Sequence, residues 1–228
     1  MSSLVEIAVD TFDDAVAAER GGAHRIELCS DLSADGLSPS LELLKQVRSA
    51  VTIPIHVMVR PRAGDFCYSQ EEFRTMKTEI DRFKSHGADG LVLGILKGDR
   101  TVDVERTAEL VLHARPLGVT FHRAFDVSAD PFAALENIIQ THAERLLTSG
   151  QKQTAPDGIE LIKQLITKAN GRIALMPGAG IDKTNAGRLI TSLPVRELHI
   201  GKGVKSLNSK GIYEVDEVKL REVINSLQ

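Results

Sequence analysis

Eight short β-rich runs recur along the chain, and in at least five of them apolar and ionisable residues alternate with a period of two. These runs are 4–9 (LVEIAV), 24–29 (HRIELC), 53–60 (IPIHVMVR), 90–94 (GLVLG), 118–125 (GVTFHRAF), 144–150 (ERLLTSG), 172–177 (RIALMP) and 196–201 (RELHIG). Such alternation predicts strands with one apolar and one polar face. Stretches of helical period follow each run, over 11–21, 40–50, 70–86, 102–114, 131–141, 158–169, 183–192 and 216–227. Local punctuation agrees with these elements. Ser38 or Ser40, around Pro39, is a helix N-cap candidate, and Gly87 and Gly171 sit where a helix end favours a left-handed residue.

Eight alternating strand and helix units imply parallel strands with right-handed crossovers. A closed barrel and an open doubly wound sheet both meet that requirement. The strand faces favour the barrel. Strands covered by helices on both sides are apolar throughout. Here Glu6 interrupts Val5, Ile7 and Val9. Arg25, Glu27 and Cys29 interleave with Ile26 and Leu28. His56, Met58 and Arg60 lie opposite Ile55, Val57 and Val59. Thr120 and His122 share a face, and Glu197 and His199 alternate with Leu198 and Ile200. An open sheet would scatter these buried charges, whereas a barrel brings them to one axis where they can pair. The expected fold is α/β, a single (β/α)8 TIM barrel spanning 1–228 as one domain. The length of 228 residues suits it.

Composition narrows the function classes. A net charge of −3 gives no basic footprint for nucleic acid. No apolar run approaches the roughly 20 residues of a membrane span. The N-terminus lacks the cationic and apolar regions of a signal peptide. Two cysteines without a CxxC motif fit a reducing, cytoplasmic setting. The seven histidines form no HxxxH or HxH motif, so no zinc site is indicated.

The candidate chemistry lies on the polar strand faces and at the C-terminal strand ends, where barrel enzymes keep their sites. Glu27, Arg60 and His122 are candidate catalytic groups, with His122 expected to face Glu27 and Arg60 across the axis. The alternative is a structural plug in which Arg60 neutralises Glu27. Glycine loops after strands seven and eight contain Gly178, Gly180 and Gly201, with Lys202 beside them. Their backbone N–H groups suit an anion, or the glycines only make tight turns. Arg62 and Ser149 are further anion-binding candidates, although Arg62 also reads as an ordinary surface charge. Cys29 and Cys67 follow neighbouring strands. A thiolate pair suits Cu(I), with Met58 as a third soft donor. The alternative is two unrelated free cysteines, each small and buried.

GGAHRIELCSDLSADGLSPS, IPIHVMVRPRAGDFCYS, VTFHRAFDVSADP, RLLTSGQ and MPGAGI, in this order and spacing, resemble the CutC copper homeostasis family. The similarity runs from the N-terminus to about residue 200; beyond His199 the tail departs from the family pattern. The resemblance implies a cytoplasmic (β/α)8 barrel linked to copper tolerance, with cysteine ligands for copper. Cys29 corresponds to the cysteine of the IELC motif, and Cys67 lies in a GDFCYS motif that some members share. Two functions stay open: copper binding and handling, or an enzyme acting on a small anionic or phosphorylated metabolite. A homo-oligomer, a dimer, is expected, with no nucleic-acid or membrane partner.

Overall fold

The computed structural model describes residues 3–227. Eight parallel strands alternate with helices: β1 (Leu4–Val9), α1 (Phe12–Arg20), β2 (Arg25–Leu28), α2 (Leu41–Ala50), β3 (Ile55–Met58), α3 (Gln70–Ser85), β4 (Gly90–Leu93), α4 (Val104–Ala114), β5 (Gly118–Phe121), α5 (Pro131–Gln140), β6 (Arg145–Thr148), α6 (Ile159–Ala169), β7 (Ala174–Pro177), α7 (Ala186–Ser192) and β8 (Glu197–Ile200). A two-stranded antiparallel hairpin, β9 (Lys205–Leu207) and β10 (Tyr213–Val215), precedes the last helix, α8 (Glu217–Asn225). The parallel order is β7-β6-β5-β4-β3-β2-β1-β8. A parallel bridge between Gly178 and His199 joins the two edges. The result is the (β/α)8 barrel anticipated from the strand faces.

Local sequence accounts for the helix starts. Ser40 caps α2, and Ser69 and Glu72 form a capping box on α3. Asp130 caps α5 just ahead of Pro131. Each strand then divides its residues between two environments. Val5, Ile7, Ile26, Leu28, Ile55, Val57, Leu91, Leu93, Leu198 and Ile200 join the large core beneath the helices. Their neighbours Glu6, Arg25, Glu27, His56, Thr120 and His199 are buried on the opposite face.

The strands are shorter than the alternation alone predicts. β3 stops at Met58, so Arg60 lies beyond it, and β5 stops at Phe121. His122 ends β5 by capping a 3-10 turn over Arg123–Val127. The β9–β10 hairpin has no counterpart in the sequence-based reading, which left 202–215 without an element. Its turn is organised by Asn208, whose side-chain oxygen accepts from the N–H groups of Lys210 and Ile212. Gly211 occupies the left-handed region there at φ 74°. Among the described residues, no helix is long and apolar enough to cross a membrane.

Candidate functional site

Two layers of polar side chains fill the barrel. The deeper layer is a network centred on Glu6, with His56 Nδ1 3.7 Å from Glu6 and without a hydrogen-bond partner. One Glu6 oxygen accepts from His199 Nδ1 at 2.8 Å and the other from Arg25 Nε. Arg25 also donates to Glu197 at 2.7 Å, and Arg145 Nε reaches the same Glu197 oxygen at 2.6 Å. Arg145 then donates to the Thr120 hydroxyl at 3.2 Å. The register explains the meeting, because Glu6 on β1 stands opposite Arg25 on β2 and His199 on β8. Burial alone would push Glu6 up, but the His199 hydrogen bond and the Arg25 charge outweigh it. Together they hold this carboxyl well below the usual range.

The upper layer is incompletely paired. Glu27 is 3 % exposed. Its Oε2 lies 3.5 Å from Cys29 Sγ and 3.8 Å from His199 Nε2, while its Oε1 has no partner. Burial, reinforced by repulsion from Glu6, raises the Glu27 pKa despite the attraction of His199. Burial and Glu27 together push the Cys29 thiol well up. For His199 burial acts downward, but Glu27 and Glu6 prevail and its pKa is raised. Cys29 packs with Met58 and Val92 in a small cluster separate from the main core. Gly36, at φ 81°, lies against this cluster. A Cβ there would stand 3.1 Å from Cys29 Sγ and 3.6 Å from Met58 Cε.

Arg60 and His122 flank Phe66 at the C-terminal strand ends. The guanidinium carbon lies 4.9 Å from the Phe66 ring centre, and the imidazole centre is also 4.9 Å away. Gly94 makes room for the imidazole, since a Cβ there would come within 2.7 Å of His122 Nδ1. Arg60 donates to the backbone oxygens of Ala34 (2.8 Å), Gly36 (3.0 Å) and Gly64 (3.2 Å), and its Nε is unpartnered. His122 Nδ1 accepts from the Ala124 N–H at 3.3 Å, and Nε2 has no partner. Burial and the Arg60 charge lower the His122 pKa to about 3.

This geometry differs from the expected Glu27–Arg60–His122 face-to-face cluster. Arg60 binds backbone carbonyls rather than Glu27, because it lies past the end of β3, where the β2–α2 loop closes over it. Arg25, on the strand itself, takes the axial carboxylates. Burial and the nearby Arg60 keep the His122 imidazole far from titrating at neutral pH. The sequence-based reading placed Arg25 among the polar residues of its strand but gave it no role, and it did not single out Arg145. The charge on the polar strand face was the available signal for Arg25.

The other candidates fall outside these layers. Arg62 is half-buried, donates to Glu72 and Asp65 and lies over Tyr68. Ser149 donates to Asp126 Oδ2 at 2.9 Å and to the Lys152 carbonyl, and it accepts from Arg123. Gly178 forms the closing bridge, and Gly180 lies against Thr154 at φ 66°. Gly201 precedes a 3-10 turn, while Lys202 is exposed with its ammonium 4.2 Å from the Tyr213 ring centre. Cys29 is buried and Cys67 exposed; both are free thiols. The Cys67 backbone is held from both sides, its carbonyl by Arg62 and its N–H by Asp65. A surface cleft of about 500 Å³, bordered by Pro116, His142 and Glu144, opens at the opposite end of the barrel and contains none of these groups.

Glu6, Glu27 and His199 each offer a ligand atom within 4.8 Å of the other two. Two carboxylates and an imidazole can hold a divalent cation, but this donor set lacks the sulfur that selects Cu(I).

A family model described as the CutC family matches residues 3–204. A human protein named copper homeostasis protein cutC homolog is 50% identical over 196 residues, covering 86% of this chain and 72% of that protein. A CutC family protein from Vibrio campbellii is 40% identical over 226 residues, covering 98% of this chain and 92% of its own length. Among solved structures, the CutC protein of Streptococcus agalactiae superimposes with a TM-score of 0.82 at 30% identity, covering 87% of this chain and 98% of that one. A phosphoribosylanthranilate isomerase from Pyrococcus furiosus shares the fold alone, with a TM-score of 0.63 at 13% identity and coverage of 99% and 98%.

Proposed function

The chain belongs to the CutC family, and from that premise we propose that it is a copper-homeostasis protein that binds Cu(I) at the barrel mouth through Cys29. The observation that carries the reading is the Cys29–Met58 cluster. A thiol and a thioether, the two donors that best suit Cu(I), are packed together there beside Glu27. Cys67, on the loop after the neighbouring strand, is the second thiol in this reading. The copper homeostasis names of the relatives above support a role in copper handling, and the cytoplasmic setting of this proposal rests on the two cysteines without a CxxC motif. Competition titration against a Cu(I) chelator tests it. Cys29→Ser should weaken binding on the order of 100-fold, since Cu(I) strongly prefers sulfur to a hydroxyl. Cys67→Ser should have the smaller effect because its thiol is exposed. Affinity unchanged in Cys29→Ser removes the reading.

A second reading is favoured by a different observation. Glu27 Oε1, Arg60 Nε and His122 Nε2 are all buried without a partner. Copper bound to sulfur needs none of them. They suit an enzyme that acts on a small anionic metabolite, with Glu27, whose pKa is raised, as the acid or base. Turnover of a metabolite fraction, followed by mass spectrometry and abolished by Glu27→Gln, is the expected result.

A further inference from the structure

We infer that Arg60 and His122 form the docking point for a carboxylate group of a small organic acid. The inference deepens the second reading above by placing the charged group of its ligand. It begins with a charge that nothing balances. Arg60 is 3 % exposed, yet among the described residues no carboxylate lies within ion-pair distance of it. A buried guanidinium held by carbonyl dipoles and an aromatic face, with no counter-charge, is costly unless an anion completes it. Its three hydrogen bonds use three of five N–H donors, leaving the Nε–H and one on Nη2.

The imidazole supplies a third free donor, and its tautomer follows from its one hydrogen bond. Nδ1 accepts from the Ala124 N–H, so Nδ1 carries no hydrogen. The neutral ring must then hold its proton on Nε2. That Nε2–H is buried and unpartnered. Three unsatisfied donors beside the same ring, Phe66, are the features of a site built for an acceptor.

The charge count selects the kind of acceptor. One cation and one neutral donor match a single negative charge. A phosphoryl dianion would leave a buried excess, made worse by Glu27 and Glu6 deeper in the barrel. The residues first considered for an anion are engaged elsewhere: Arg62 by two carboxylates, Ser149 by Asp126, and Lys202 on the face of Tyr213. The carboxylate thus docks between strands three and five, not at the glycine loops after strands seven and eight.

The test uses pyruvate as probe, with inorganic phosphate and chloride at matched ionic strength. Histidine-labelled protein should show the Nε2–H tautomer of His122 between pH 6 and 8. Pyruvate should shift these ring resonances and raise Tm saturably, by mass action. His122→Phe, which keeps the ring volume but removes the donor, should weaken pyruvate on the order of tenfold. Arg60→Met should weaken it further; if that variant does not fold, the labelled wild type and His122→Phe decide. Lys202→Ala should change nothing. An Nδ1–H tautomer, or no pyruvate response beyond that of chloride, overturns the inference. So does a phosphate response lost in Lys202→Ala and kept in His122→Phe. The enzyme reading fails separately, if no metabolite is turned over, even while pyruvate still titrates His122.

Discussion

Glu6 and Glu27 are the same residue type, buried on the same side of neighbouring strands, and they behave in opposite ways. Glu6 receives hydrogen bonds on both oxygens, from His199 and Arg25, and its carboxyl is held far down. Glu27 has one bare oxygen, a thiol at 3.5 Å and a raised pKa. Glu6 is therefore satisfied without a ligand, while Glu27 is not. A buried polar group left unmatched costs about 1–3 kcal/mol. The fold carries that cost at Glu27, Arg60 and His122, toward the end of the barrel where sites are found, and also at His56 Nδ1 beside Glu6. Within one barrel, the count of satisfied acceptors separates Glu6 from Glu27 more sharply than burial does, since both carboxylates are equally hidden.

The comparison is tested most severely by the same substitution in both places. Glu6→Gln leaves Arg25 and His199 as buried cations without their shared partner. Loss of one member of a buried ion-pair network costs roughly 3–5 kcal/mol, so the urea midpoint should fall steeply. A Glu6→Gln variant as stable as the parent would show that the deeper layer is not a structural plug.

Acid exposes the next difference. Burial, despite the Glu6 charge, lowers the His56 pKa to about 4, and burial with Arg60 lowers that of His122 to about 3, both from 6.5. Between those values and 6.5 the unfolded chain binds more protons than the native one. Their stabilisation is thus complete above about pH 6.5 and is lost as pH falls toward the native values. His199, whose pKa is raised, has the opposite sign: its contribution is present at low pH and lost as pH rises through its native value. The net loss between pH 7 and pH 5 should be on the order of 2 kcal/mol, measured by urea melts at the two pH values. A flat profile would mean that neither imidazole is buried neutral.

The smallest effect is expected for Glu27→Gln, and its sign is the point. Removing a carboxylate that burial already disfavours should leave the midpoint unchanged or raise it by about 1 kcal/mol or less. Activity on any metabolite should nevertheless disappear. A marked destabilisation would place Glu27 in the plug with Glu6.

Period-two alternation on at least five runs was enough to favour the barrel and to read the inward direction of Glu6 and Glu27, because successive side chains on a strand point to opposite faces; it left open whether Glu197 or His199 points inward. Helix starts were legible for an equally local reason, as at Ser40, whose hydroxyl meets an N–H three residues on. Cys29, in its IELC motif, could be picked out by resemblance before any geometry was known. Pair identity could not be read this way. Arg25 and Arg60 are both arginines on the polar face of their runs, and only the stagger between strands decides which one meets Glu6. That stagger depends on closure through Gly178 and His199, far apart in sequence from β1 and β2. The hairpin of β9 and β10 is likewise fixed from a distance, by Asp14 on α1, which accepts from Lys205 and from the Val215 N–H. A strand's own pattern sets which way each side chain points, but partners are set by distances between segments that meet only when the barrel closes.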